Sequence, residues 1–384
     1  MNQYTTFTKF IDDEHVPTRT SEAEHSNEES IKESLNAVLK LYREKHFNYC
    51  TYMLEKKGKI ETYGKFKDES FFIWNPTYFL FPMRVLGYEK EHEEQMNKYI
   101  EICTKYIAKK ITKEGVFSGL YMDNGHLVSN YSAVMTIALI GTEEAYKLVD
   151  RQKIYKFLLG LKVKNGSFRT TKGMEYDIRA TFTALLIAYS FNMLTPELTK
   201  GVEEYVLSCR NYDGGYSPKP GLEPHGGYVH CAVGIMNIIG KLDLLDLDSL
   251  IKWICLKQME FNGGFQGRVN KLVDSCYSWW IGSSGKIISD HLGIEPFWNT
   301  QAMTDYLIKS SQSSNGGFCD HRPSYPDPFH TFYGLAGLCV SGLRSFGEGE
   351  DHVELPEIDT MLCVPKYLVE RMHKYFYSIP FIPE

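Results

Sequence analysis

From about residue 100 onward the chain alternates two kinds of apolar segment. Some are amphipathic, such as VDRQKIYKFLLGLK and DSLIKWICLKQM. Others are apolar almost throughout: YSAVMTIALIG, RATFTALLIAYSF, CAVGIMNIIG and FYGLAGLCVSGL. A one-sided helix rests on a core, whereas a helix apolar on every side is enclosed by protein. One of each per unit predicts an outer and an inner helix.

Between the two stands a glycine turn ending in an aromatic residue. It recurs at Phe117, Phe168, Tyr216, Phe265 and Phe318, with spacings of 51, 48, 49 and 53 residues. Periods near 50 mark a repeat architecture. Kelch propellers share that period but need short alternating strands, and these segments are helical in length and pattern. The expected fold is all-α: an α/α barrel, or toroid, of helical hairpins with the inner helices around a cavity.

In such a ring the inner helices run parallel and their N-termini gather at one rim. The residues at those starts are His126, Arg179, His225, Asp274 and His330, spaced 53, 46, 49 and 56 residues apart. Polar groups in one phase of five repeats converge in space. Helix N-termini also present free N–H groups and a positive dipole end, which favour anions.

Composition refines this picture. The 26 Tyr, 22 Phe and 5 Trp make 14% aromatic residues, enough to line a greasy pocket as well as a core. Lys and Arg number 42 against 48 Asp and Glu, a net charge of −6, so no strong field attracts nucleic acid. No run of 18 apolar residues predicts a membrane span, and the start MNQYTTFTKFIDDEH has no secretory pattern. Nine scattered cysteines without a CxxC argue against a disulfide framework and for a cytoplasmic protein. Residues 1–34 are polar and acidic and read as a mobile arm. Residues 35–384 are expected to form a single catalytic domain, with a surface loop at about 346–359.

Three constellations carry chemistry. Asp274 and Cys276, with His330 54 residues after Cys276, offer O, S and N donors suited to zinc with one position left open. Residues i and i+2 can share an ion only at an irregular helix start, and Asp274-Ser-Cys276 precedes an apolar WWIG. The competing reading is an Asp N-cap with a buried Cys and His. His225, Arg268, Lys271 and Tyr277 combine cations, an imidazole and a phenol suited to diphosphate oxygens, against a reading as solvated loop charges. Glu175, Asp177 and Arg179 with His126 read either as a structural salt-bridge network or as recognition of a peptide terminus.

PHGGYVHC, GRVNKLVDSCYSWW and DPFHTFYGLAGL occur in order at matching distances, and the chain resembles the β subunits of CaaX protein prenyltransferases from about residue 70 to 345. The resemblance implies a prenyltransferase-like α/α barrel that works as a heterodimer with an α subunit. It implies Zn2+ on Asp274, Cys276 and His330, with Tyr277 beside them in the catalytic set. Isoprenoid diphosphate is implied on His225, Arg268, Lys271 and Tyr277. Peptide-terminus positions match His126, Glu175 and Arg179, and lipid-funnel positions match Thr77, Phe81, Phe182, Cys231 and Trp280.

Farnesyltransferases resemble one another in a WxxxW pair where this chain has Thr77 and Phe81, as type I geranylgeranyltransferases do. Threonine in place of an indole leaves room for a fourth isoprene unit, about 4 kcal/mol of burial at roughly 0.8 per methylene. The resemblance therefore points to geranylgeranyl diphosphate and CaaX-terminated proteins such as Rho/Rac-like small GTPases, CaaL favoured. Asp320 departs from it, matching the farnesyltransferase carboxylate associated with Mg2+, which keeps dual C15/C20 use open. Phe329 stands where the family has Tyr or Leu. The rivals are a farnesyltransferase β subunit, a Rab-type geranylgeranyltransferase β subunit, a triterpene cyclase and a non-catalytic toroid module. The cyclase needs a DxDD acid, and the nearest string is DLDS at 246–249.

Overall fold

The glycine-aromatic turns are the joints of the molecule. Each is closed by an antiparallel backbone bridge between a residue leaving an outer helix and the turn's aromatic: Ile111–Phe117, Lys162–Phe168, Arg210–Tyr216, Gln258–Phe265 and Gln312–Phe318. All five rings are buried. In three repeats the aromatic's N–H donates to a side chain 13 residues on, in the inner helix: Asn130 for Phe117, Thr181 for Phe168 and Thr331 for Phe318. The turn thus fixes both where the outer helix stops and where the inner one lies.

The computed structural model describes residues 39–52, 73–119, 125–347 and 352–384, with Glu22, His25 and Glu29 as isolated positions. The rest of the expected 1–34 arm lies outside the described residues. Among the described residues, six outer and six inner helices alternate. The outer helices are α1 (Arg43–Tyr52), α3 (Glu93–Ala108), α5 (Arg151–Leu161), α7 (Val202–Ser208), α9 (Leu247–Cys255) and α11 (Thr300–Asp305), the last continuing as a π turn over Tyr306–Ser311. The inner helices are α2 (Asn75–Val85), α4 (Leu127–Ile140), α6 (Ile178–Ser190), α8 (Gly226–Ile238), α10 (Tyr277–Leu292) and α12 (Pro328–Val340).

Each inner helix packs on the next, and α12 returns to α2, so the inner ring is closed. Apolar residues on every side of α4 and α8 are explained by that double enclosure: 13 of the 14 residues of α4 are buried. The helix α2 is the sixth member, which the glycine-aromatic pattern did not reveal; residues 53–72 before it lie outside the described residues.

Closure between first and last repeats is specific. A Cβ on Gly316, at φ 92°, would overlap the Lys45 carbonyl of α1. His46 is fully buried there, stacked on Phe318 at 5.0 Å. Its Nδ1 accepts from the Gly317 N–H, and its Nε2 lies 2.9 Å from Gln312 Oε1. With Nδ1 an acceptor, Nε2 carries the hydrogen and the imidazole is neutral.

A two-stranded hairpin, Ile358–Asp359 with Val364–Pro365, packs on α2, α4 and α12, and helix α13 (Lys366–Tyr377) follows it against α4 and α6. The expected surface loop at 346–359 is corrected here in part. Phe346 pairs with Val353 in a second short hairpin, and both are buried with Leu355 and Ile358. Their apolar side chains turn inward, where a surface loop was expected; residues 348–351 lie outside the described residues. Among the described residues, no helix is long and apolar enough to cross a membrane.

Candidate metal centre and adjoining cavity

Asp274 and Cys276 lie just before α10, and His330 is the third residue of α12. The neighbouring inner helices bring one donor atom from each residue within 4.8 Å of the others. Ligands of a single zinc at ~2.0–2.3 Å stand roughly 3.5 Å apart, so a small inward movement would bring these atoms to metal-ligand spacing. Asp274 Oδ1 is 3.4 Å from His330 Nε2 and also accepts the Cys276 N–H at 2.8 Å. The N-cap position of α10 is Cys276, with no side-chain cap bond, so the N-cap role weighed for Asp274 is not met; its carboxylate instead holds the turn before the helix.

Asp327 orients His330. It is the N-cap of α12, taking the His330 backbone N–H with one oxygen at 2.9 Å and His330 Nδ1 with the other at 2.5 Å. That leaves Nε2 facing Asp274, the arrangement in which a carboxylate fixes the tautomer of a ligating histidine. Burial opposes the His330 charge, but hydrogen bonds donated to Asp274 and Asp327 hold its pKa up to about 10. Burial, followed by the nearby Asp274 carboxylate, pushes the Cys276 thiol well above its usual value. Without a metal the three donors are thus a carboxylate, a neutral thiol and an imidazolium, and a divalent ion would reverse the Cys276 and His330 shifts.

A cavity of about 380 Å3 opens directly beside them, with His225, Arg268, Lys271, Asp274, Tyr277 and Asp320 in its wall. His225 caps α8, its Nδ1 accepting from Gly227 N–H at 3.1 Å. Nε2 therefore carries the hydrogen and donates to the Tyr277 hydroxyl at 2.8 Å, leaving that phenol O–H to donate onward. Burial, then the Arg268 charge, lowers the His225 pKa. Arg268 pairs with Glu223, and Lys271 is exposed. Asp320 lines the same wall, with Oδ2 3.0 Å from His321 Nδ1. Hydrogen bonds from His321 outweigh burial and keep the Asp320 carboxyl well below its usual range.

The interior of the ring is belted by aromatic rings. Trp74 meets Tyr131 of α4, which meets Phe182 of α6, His230 of α8 and Trp280 of α10 in turn. Trp280 continues to Tyr333 and Phe332 of α12, then to Tyr78 of α2 and back to Trp74. Successive ring centroids lie 4.7–6.4 Å apart. Every inner helix contributes.

Residues 41–364 match the family described as the prenyltransferase alpha-alpha toroid domain. The chain is similar to the protein farnesyltransferase subunit beta of Schizosaccharomyces pombe, 32% identical over 300 residues that cover 72% of this chain and 78% of that one. It belongs to the prenyltransferase β-subunit family. The geranylgeranyl transferase type-1 subunit beta of Arabidopsis thaliana is 33% identical over 230 residues, covering 57% of this chain and 59% of the other. In architecture the protein is similar to Candida albicans protein geranylgeranyltransferase-I complexed with GGPP, with a TM-score of 0.70, 21% identity, and coverage of 88% of this chain and 99% of that one.

In this prenyltransferase β subunit, Phe182, Cys231 and Trp280 stand on three adjacent inner helices, the first two buried. Thr77 and Phe81 on α2 are 0% exposed: the Thr77 hydroxyl is 2.8 Å from that of Thr136, and Phe81 packs on Phe332. The peptide-terminus set is looser. His126 caps α4, its Nδ1 accepting from Val128 N–H, and the α4 start is tied toward Glu175 by Leu127 N–H donating to Thr170 O and Thr170 N–H donating to Glu175 O. Glu175 and Arg179 are exposed, while Asp177 is buried as the cap of α6 and binds Arg179 at 2.8 Å. The structural reading therefore holds for Asp177. Asp246 of the DLDS string caps α9 by accepting the Ser249 N–H, a structural use of that motif. Asp327 was missed in the sequence although DPFH carries its signal, a capping Asp, a Pro at N1 and a His three residues on. His230 and His321 carried no such signal.

Proposed function

We propose that this chain is the β subunit of a zinc-dependent CaaX prenyltransferase that transfers a geranylgeranyl group to the cysteine of a C-terminal CaaX motif, CaaL favoured. The observation that carries this reading is the convergence of Asp274, Cys276 and His330 at the edge of the cavity holding His225, Arg268, Lys271 and Tyr277. When bound, zinc would take the substrate thiol as its fourth ligand and lower its pKa to give thiolate at neutral pH.

The chain's own groups do the rest. Asp327 keeps His330 Nε2 available, and the belt holds the isoprenoid with C1 at the rim. The cysteine sulfur forms a bond to C1 as the C1–O bond breaks, and the diphosphate leaves with the electron pair. Tyr277, aligned by His225, donates its hydroxyl hydrogen to the oxygen on which charge develops, and Arg268 and Lys271 neutralise the remainder. Arg268 must exchange Glu223 for phosphate. Asp320, ionised in the same wall, is proposed to hold Mg2+, which would supply further charge to the leaving group in competition with His321. His126, Glu175 and Arg179 are assigned to the peptide terminus, and an α subunit is assigned as partner.

Asp320 and the farnesyltransferase relatives favour a second reading, transfer of the C15 group or of both. The deciding experiment measures transfer from C15 and C20 diphosphates to CaaL and CaaS peptides, with and without an α partner and Mg2+. Preferred C20 transfer to CaaL supports the proposal. C15 transfer to CaaS selects the second reading, and full activity without an α partner refutes the heterodimer. A native protein without stoichiometric zinc, or unchanged zinc in Cys276→Ala, overturns the metal assignment.

A further inference from the structure

His230 differs from every other member of the aromatic belt. Where the others are phenyl, phenol or indole, it brings an imidazole to the middle of α8, with 0% exposure. Its Nδ1 lies 2.9 Å from the hydroxyl of Ser283, also 0% exposed, on the neighbouring helix α10. Its Nε2 is buried without a hydrogen-bond partner. An unsatisfied buried nitrogen costs stability that a phenyl ring in the same place would avoid, so its presence needs a reason. Burial lowers the His230 pKa to about 3, so the ring is uncharged.

The surroundings supply the reason. Phe182 and Trp280 flank the imidazole, each with its centroid at 5.3 Å and its plane nearly perpendicular, at 76° and 70°. In the tautomer where Ser283 donates to Nδ1, Nε2 carries the hydrogen, and the imidazole meets both rings edge to face. Ser283 and Trp280 are one turn apart on α10, so the imidazole grips a helix and the indole it carries together. A phenyl ring could touch Trp280 but could not be locked by Ser283.

We propose that His230, clamped by Ser283, is a positioning residue that sets the orientation of Trp280 and Phe182 and thereby the length of isoprenoid the belt accepts. The inference rests on the reading above of Trp280 and Phe182 as lipid wall. His230 acts through these two rings and takes no part in proton transfer.

The test compares native protein, His230→Phe, His230→Asn and Ser283→Ala, each with zinc and the α partner. KM and kcat are measured for C15 and C20 diphosphates and for the peptide. The clamp requires His230→Phe and Ser283→Ala to shift the C20:C15 ratio of kcat/KM by about tenfold, through KM for the diphosphate, with peptide KM and zinc content unchanged. His230→Asn, whose amide reaches the Nδ1 position, keeps a ratio close to native. Should His230→Phe fail to fold, Ser283→Ala, a one-atom deletion, still decides. An unaltered ratio in Ser283→Ala, or a fall in kcat alone, overturns the inference while leaving the function intact. A native protein that transfers neither lipid overturns both.

Discussion

The Asp327 carboxylate holds His330 Nδ1 at 2.5 Å while its other oxygen caps the helix that carries His330. One side chain thereby fixes both the helix start and the imidazole tautomer. Asp327→Ala is expected to lower zinc affinity about 10–100-fold, measured by competition with a chromogenic chelator. Asp327→Asn should retain the cap and lose less; equal zinc affinity in all three proteins would remove Asp327 from the site.

The phenol of Tyr277 owes its place to an absent side chain. A Cβ on Gly267 would overlap the Tyr277 ring and hydroxyl, which meet His225 Nε2 at 2.8 Å. Gly267→Ala should push the phenol out of line and lower kcat by about 10²-fold, the range found for loss of one donor to a developing oxyanion. Steady-state kinetics check this, with circular dichroism showing an unchanged helix content.

Lipid length is tested at Thr77. It is 0% exposed and hydrogen-bonded to Thr136, so Thr77→Trp must displace neighbouring side chains. The expected result is a loss of about 1–3 kcal/mol of stability from overpacking together with a swing from C20 toward C15 transfer. Unchanged lipid preference in a folded Thr77→Trp protein would place the length determinant elsewhere.

Ring closure should titrate. Burial lowers the His46 pKa from 6.5 to about 4. Between those values the unfolded chain binds the proton and the folded one does not, so stability is full above about pH 6.5 and falls on acidification. The loss from this residue alone reaches about 3 kcal/mol by pH 4. Urea unfolding at pH 7 and pH 4.5 should show a smaller pH dependence in His46→Phe than in the native protein. Identical pH slopes would refute it.

The pattern of apolar segments determined the toroid, because a helix apolar on all sides has few stable environments outside an enclosed layer. Repeat phase likewise assembled Asp274, His225 and His330 at one rim, since equivalent positions in a closed ring must neighbour one another. The sixth inner helix escaped that reasoning: Asn75–Val85 is legible only through NPTYFLF, without a described glycine-aromatic turn ahead of it.

Only tertiary structure decided which polar groups meet. Sequence could not tell that Asp177 is buried as a cap while Glu175 and Arg179 stand exposed two positions to either side of it, because burial depends on what packs above them. It could not show that Asp320 is engaged by His321, or that His46 locks the first repeat to the last across 266 residues to Gln312. Hydrophobic periodicity is a property of the chain and survives in one dimension. Hydrogen-bond partners, tautomers and pKa shifts arise from distances across helices, and those exist only once the ring has closed.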